Sequence, residues 1–327
     1  DHIAAAHTDV GLFHSFNRGQ TWHHALAGVP RAWINSCYWM VFDPEVPGRA
    51  WSVWSGLHVV PRMLNFVNKQ CDGKFEGGIC RTDSVDMAWT VSNDGIPSHC
   101  TPTHIVLDPA SPAGNRTLYT AVFEHGVYKS TDDGKTWVLK NSGIDAGNLY
   151  AWRLALLPDG TLYLVVVAGH IPGREVAGTL YKSTDGAESW QKIALPDEVT
   201  DPNDLMYDPS NPKRLYLSCW PHVVDGQERG GGVYASDDGV AWNSVLDPQL
   251  HVYSVTVDET NPAILYATTF DAAVYRSDDR GATWHPLAGY DFCWGHRVVL
   301  DEHEPDTIYI CTYGSSTWHG QPSHRYK

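Results

Sequence analysis

Carboxylates, histidines, arginines and tryptophans recur at two kinds of position in this 327-residue chain: turns between apolar runs, and the opening residues of apolar runs. The turns present Asp9, His58 with Arg62 close behind, Glu124 with His125, His170, His222, Asp271 and Ser315. The run openings present Asn35, Tyr38, His104, Trp152 with Arg153, Asn203 with Asp204, His251 with Tyr253, and Trp294 with His296 and Arg297. Two chemistries suit these types. A pair of carboxylates can act as base and acid across a glycosidic bond, set about 6.5–9.5 Å apart if water attacks with inversion. Asp9 is the candidate base, and Glu124, Asp204 or Asp271 the candidate acid, held protonated by burial. Alternatively, Arg153 or Arg297 can neutralise a uronic-acid carboxylate while His104, His251 or Tyr253 removes the α-proton, the step of a polysaccharide lyase. In both cases Trp152, Trp220 and Trp294 offer flat apolar faces for sugar rings. His58, Arg62, Glu124, His170 and His296 complete the candidate substrate-binding set.

Each of these residues also has an architectural account. His104 and His251 begin apolar runs and can be satisfied core histidines. Asp9 sits in Thr8-Asp9-Val10-Gly11, ordinary turn chemistry. Arg153 lies between Trp152 and Leu154, where a buried charge requires a partner. Asp204 is the candidate partner, and Arg297 after Gly295-His296 reads similarly. A zinc or copper site from His58, His104, His170, His222, His251 and His296 would need the fold to gather them. No H-x-H or H-x-x-x-H pair occurs among these positions, so neither metal nor cofactor is expected.

The elements that must position these side chains form a repeat. One unit recurs: an apolar run ending near Asp-Pro, a second run with Leu-Tyr or Ile-Tyr, a Gly-containing turn, a run ending near Tyr-x-Ser, and a polar turn closed by Trp. The polar turn is the most specific part. Ser130 to Trp137 and Ser277 to Trp284 are full copies. Ser183 to Trp190 has Ala187 for Gly, Ala235 to Trp242 keeps Asp237 and Gly239, Ser15 to Trp22 has Asn17 for Asp, and Thr82 to Trp89 is degraded. In such a turn Asp and Ser side chains bond the turn backbone, Gly supplies positive φ, and Trp covers the hairpin. It is a staple rather than a catalytic element. The middle hairpins align as His2–Ser15, Ala50–Thr82, Leu118–Ser130, Leu162–Ser183, Leu215–Ser236, Leu265–Ser277 and Ile308–Gly320. Four-stranded sheets repeated radially make a β-propeller. The expectation is therefore an all-β, single-domain propeller over residues 1–327 with seven blades, six or eight staying open. The segments 59–80, 170–178 and 221–232 read as insertions into it.

The totals bound the partners. A formal charge of -15 argues against nucleic acid, which requires a basic face. No run of 18 apolar residues offers a membrane span. The chain opens at Asp1-His2-Ile3 inside what reads as a strand, so a processed or truncated start is expected. Of the seven cysteines, Cys71, Cys80 and Cys100 cluster and one disulfide among them is expected, whereas Cys37, Cys219, Cys293 and Cys311 read as buried free thiols. Asn115-Arg116-Thr117 is a glycosylation sequon.

The polar turns resemble the Asp-box, S-x-D-x-G-x-x-W, of sialidases, sortilin-type receptors and xyloglucan hydrolases. Ala5-Ala6-His7-Thr8-Asp9-Val10-Gly11 resembles the A-R-T-D-[VI]-G-G segment near the start of the xyloglucan-specific glycoside hydrolases. That resemblance implies a catalytic carboxylate at Asp9. His7 and Leu12 depart from the pattern, and the family's other catalytic Asp lies in a second propeller that these residues do not include. Sialidases bind a carboxylate with three Arg, for which Arg62, Arg153 and Arg297 are candidates, but the F-R-I-P segment and an assignable Tyr–Glu pair are missing. The resemblance as a whole implies an extracellular or periplasmic protein acting on a polysaccharide or oligosaccharide. A non-catalytic propeller binding glycan or protein is the alternative.

Overall fold

The structure, a computed structural model, describes residues 2–58, 60, 76–171, 174–304, 307–313 and 317–322, and leaves aside the side chains of 170, 171, 174 and 175. Arg62, Cys71, Ser315 and the His170 side chain lie outside the described residues. Every regular element among the described residues is a β-strand. They form one seven-stranded, four four-stranded and one three-stranded sheet, plus two two-stranded hairpins.

The repeat unit is clearest in the sheet of Thr101–Leu107, Leu118–Phe123, Gly126–Ser130 and Val138–Leu139, paired in chain order. Its second strand, Leu-Tyr-Thr-Ala-Val-Phe, is buried at every residue, so both faces are covered and no polar alternation is needed. The fourth strand is two exposed residues, a short edge that gives another chain little to pair with. The same four-strand order holds for the sheets starting at Ala151–Leu156, Pro202–Asp208 and Val252–Val257. Among the described residues, the strand set Ile3–His7, Gly11–Ser15 and His23–His24 has no first strand, and Gly295–Leu300, Ile308–Thr312 and Thr317–Gly320 have no fourth. The first strand of most repeats ends on an Asp whose carboxylate accepts backbone N–H groups two or three residues on: Ala110 onto Asp108, Ser210 onto Asp208, Thr260 onto Asp258.

The polar turns close as their residues dictate. Ser130 Oγ donates to Asp132 at 2.8 Å and accepts the Gly134 N–H at 2.9 Å, and Asp132 accepts both the N–H and the hydroxyl of Thr136. Asn17 performs the Asp role in the first turn, accepting the Thr21 N–H and donating to the Thr21 hydroxyl. One alignment changes. In the turn after Gly232–Ser236 the bonding pair is Ser236 and Asp238, one residue later than the Ala235–Asp237 alignment. Asp237 instead pairs with Arg214 at 2.9 Å.

Two compact units emerge: residues 1–164, 169–176 and 181–191, and residues 165–168, 177–180 and 192–327. In the first, three Trp residues reach back to the preceding repeat. The Trp89 indole donates to Ala25 O, that of Trp137 to Ser92 O and that of Trp190 to Lys140 O, at 2.8–2.9 Å. The backbone of each Trp runs over a glycine of positive φ, respectively Gly28, Gly95 and Gly143, where a Cβ would lie 1.9–2.1 Å from the Trp carbonyl oxygen. A buried pair of Arg116 with Asp43, at 2.7 Å with both side chains fully buried, joins neighbouring repeats of the same unit. The second unit has two apolar cores, one around Tyr216, Val255 and Leu265 and one around Tyr266, Val298 and Ile310.

The insertions at 170–178 and 221–232 contain antiparallel hairpins, Gly169–Ile171 with Arg174–Val176 and His222–Val224 with Gln227–Arg229. Cys80 and Cys100 are buried free thiols, each pushed up to about 12 by burial, rather than disulfide partners. Cys37 and Cys219 are buried and free as expected; Cys293 and Cys311 are free and half-buried.

Candidate functional site

A register shift recurs near the start of the first strand. It lies between Cys37 and Trp39, Pro102 and His104, Pro202 and Asp204, Val252 and Ser254, and Gly295 and Arg297. The residues left over, Tyr38, Thr103, Asn203, Tyr253 and His296, are β-bulges at equivalent positions of their repeats. A bulge turns its side chain out of the regular pleat. It therefore sets the direction of the candidates at the run openings.

In the first unit, Asp9 has φ 70° between strands Ile3–His7 and Gly11–Ser15. Its side chain is 60% exposed and pairs with His58 Nδ1, which donates to it. Gly11 follows with φ 78°, and a Cβ there would meet Ile34 O at 2.9 Å, so the turn keeps its glycine. The Tyr38 hydroxyl donates to Leu57 O at 2.9 Å and accepts the Val60 N–H at 3.3 Å, fixing the chain around His58. Glu124 occupies the equivalent turn two repeats later, with φ 67°, between Leu118–Phe123 and Gly126–Ser130. Burial first and the Glu124 charge second push the Tyr150 phenol up, so Tyr150 lies within range of this carboxylate. Tyr150 stacks on Phe123 at 4.6 Å.

His104, Trp152 and Arg153 form a buried network in the same unit. Arg153 donates to Thr103 O at 2.8 Å and lies over the rings of Trp39, at 5.1 Å, and Trp152, at 4.3 Å. His104 packs on Trp39 at 4.5 Å, and its Nδ1 accepts the Leu154 N–H, which leaves the ring proton on Nε2. The bulged Thr103 donates to Trp152 O at 2.9 Å.

In the second unit Asp204 pairs with Arg297, both side chains nearly buried at 8% and 11% exposure. This corrects the expectation that Asp204 answers Arg153: the bulges at Asn203 and His296 bring the residues after them, Asp204 and Arg297, together. Asn203 donates to Tyr253 O at 2.6 Å. His251 donates from Nδ1 to Asp271 at 2.9 Å, with Glu228 3.8 Å from its Nε2. Beside it lies an aromatic cluster. Trp220 meets His251 at 4.8 Å, Tyr253 at 5.0 Å and Phe270 at 5.7 Å; Phe270 stacks with Trp294 at 6.0 Å; Tyr253 contacts His296 and Tyr313. Trp294 is 42% exposed, at φ 63°, its N–H bonded to Phe270 O and its carbonyl to the Tyr313 N–H. The sequence reading missed Phe270, Tyr313, Glu228 and Tyr150. The signal for the first two was their position beside turn residues that had been singled out, Asp271 and Ser315.

A cleft of about 620 Å³ lies elsewhere in the second unit, lined by Ser210, Arg214, Asp237, Asp279 and Arg280 among others, and includes none of the candidates. Its charges are already matched, Arg214 with Asp237 and Arg280 with Asp208.

Residues 275–286 match the BNR/Asp-box repeat family. Over 210 residues the chain is 25% identical to xyloglucanase Xgh74A of Acetivibrio thermocellus, covering 53% of this chain and 24% of that protein. Over 287 residues it is 23% identical to a xyloglucanase of Hypocrea jecorina, covering 73% of this chain and 33% of that protein. It thus spans about a quarter to a third of the curated relatives it matches. The crystal structure of the GH74 xyloglucanase of Xanthomonas campestris superposes with a TM-score of 0.72 at 17% identity, over 98% of this chain and 50% of that one. YCF48 bound to D1 peptide superposes with a TM-score of 0.66 at 15% identity, over 99% and 90%. The chain has the fold of these proteins: an all-β propeller with Asp-box hairpins, similar to glycoside hydrolases.

Proposed function

We propose that this propeller is a glycoside hydrolase acting on a polysaccharide outside the cytoplasm, with Asp9 as general base and Glu124 as general acid. The observation that carries the reading is Asp9: an exposed carboxylate on left-handed backbone, oriented by a histidine N–H. A non-glycine residue in that conformation costs of order 1–3 kcal/mol, and such strain concentrates at functional sites. The His58 N–H holds one Asp9 carboxylate oxygen and so orients the other toward a proton donor. Of the three candidate acids, Asp204 is tied to Arg297 and Asp271 to His251, whereas Glu124 shares the unit and the turn position of Asp9. The xyloglucanases that the chain resembles make xyloglucan the first substrate to test. Asp9→Asn is expected to lower hydrolysis of xyloglucan or a related β-glucan about 10²–10⁴-fold without loss of folding. Wild-type rates in that variant, or no release of reducing sugar from any glucan by the unmodified protein, would overturn the proposal.

A second reading rests on the aromatic cluster. Trp294 with Phe270 and Trp220 offers a partly exposed face that suits a glycan ring or the apolar side chain of a peptide, with no catalysis. If Trp294→Ala abolishes binding of a glycan or peptide while the unmodified protein releases no sugar, this reading replaces the first. The lyase chemistry has less support: Arg153 is buried between two Trp rings and Arg297 is paired with Asp204, so both guanidiniums are already engaged.

A further inference from the structure

We infer that His2, His14 and His23 form a binding site for a divalent transition-metal ion of the zinc class, clipping the first strand of the chain to the next two. The register places them together. Ala4 pairs with His14, so His2, two residues before Ala4, lies on the same face as His14. His14 pairs directly with His23 across the next strand. Directly opposed residues hold their Cβ atoms about 4.5–5.5 Å apart, within the reach of imidazoles sharing an ion. Two adjacent strands and the residue that leads into a third thus present one imidazole each on one face.

The side chains already approach this geometry. His2 Nε2 and His14 Nδ1 share a hydrogen bond at 3.2 Å, which an ion bound between them would replace. Two nitrogens bound at about 2.05 Å in a tetrahedral shell stand about 3.3 Å apart. The rings of His2 and His14 are 5.3 Å apart, and those of His14 and His23 are 6.1 Å apart. As the side chains stand, no group of three His, Cys, Asp or Glu among the described residues is placed to hold a metal ion. Exposed His23 supplies the third nitrogen by rotating about its side-chain bonds. The surroundings suit a metal. Phe16 stacks on His2 at 4.7 Å and Phe42 meets its edge, so two partly exposed aromatic rings shelter the donors from water. Asp86 acts on His14 as a neighbouring negative charge, which offsets the charge of a bound cation. Nitrogen donors alone select ions such as Zn²⁺ over Mg²⁺ or Ca²⁺.

The test is titration of the full chain with Zn²⁺ by calorimetry, and with Co²⁺ by visible absorption, which reports a tetrahedral nitrogen shell. One ion per chain is expected, with a rise in thermal midpoint on Zn²⁺ addition. His2→Ala and His23→Ala are each expected to weaken binding at least about tenfold. His24→Ala is the internal control: His24 pairs with Phe13, on the opposite face of the same strands, and its loss is expected to leave affinity unchanged. His2 and His23 are not core residues, so both variants are expected to fold; His14→Gln tests the buried member. No binding by the unmodified protein, equal affinity in His2→Ala or His23→Ala, or equal weakening by His24→Ala would each overturn the site.

Discussion

A general acid must carry a proton before it acts, so the neighbours of a carboxylate decide its suitability. Asp204 stands nearly buried against Arg297, and both charges have little access to water. Removing one strands the other, so Arg297→Met is expected to cost about 3–5 kcal/mol, read as a fall in urea midpoint. Replacing both, as Asp204→Leu with Arg297→Met, should cost less than the single change. A single variant as stable as the unmodified protein would show that the pair is solvated. Asp9 is the opposite case: exposed, held by one histidine, and set on strained backbone. His58→Ala should leave stability almost unchanged and act only on how Asp9 is oriented, as a several-fold loss in kcat with KM maintained. An unchanged kcat would detach His58 from the chemistry.

The Asp-box hairpin carries its own acid sensitivity. Hydrogen bonds from the Ser189 side chain, the Ser189 N–H and Ser183 hold Asp185 down to about 2, and Thr283 does the same in direction for Asp279. Carboxylates lowered in the folded state contribute stability that is complete above their unfolded value near 4 and is lost as pH falls through the folded one. Asn17 shows that an uncharged amide holds the same two groups, accepting the Thr21 N–H and donating to the Thr21 hydroxyl where Asp accepts from it. Asp279→Asn is therefore expected to retain most of its stability at pH 7 and to lose less than the unmodified protein between pH 5 and 2.5, measured by urea midpoints. An identical pH slope would refute this. Gly95→Ala forces a Cβ into the Trp137 carbonyl at φ 89°, and is expected to cost at least about 1–3 kcal/mol in a thermal or urea melt. The boxes were legible in the sequence because the bonds of their Ser and Asp side chains are local, Ser130 to Asp132 and Gly134 and Asp132 to Thr136. The exception, Ser236 with Asp238, slipped by one because Asp237 and Asp238 are adjacent and either can be aligned. The bulges at Tyr38, Thr103, Asn203, Tyr253 and His296 were not legible. A bulge is a mismatch between two strands, and no pattern within one strand records it. That is why the pairing of Asp204 with Arg297 went unforeseen.

At the scale of the whole molecule, a charge of -15 sets which polymers the protein tolerates. Binding of a neutral glucan is expected to change little between about 0.05 and 0.5 M salt, whereas a polyuronate should bind better as salt screens the repulsion. Affinity for a neutral glucan that collapses with salt would contradict this. One set of anchors in the first unit runs backward along the chain: Trp89, Trp137 and Trp190 each dock on backbone that precedes them, and Arg116 reaches back to Asp43. Every such anchor meets a partner already made when it leaves the ribosome. Synthesis can thus dock these anchors one after the last, while Trp51 and Ser92 wait for the backbone of Asp133 and Gly134. Protease challenge of stalled nascent chains should show protection advancing in steps as residues 89, 137 and 190 emerge; protection arriving all at once would argue against this vectorial assembly.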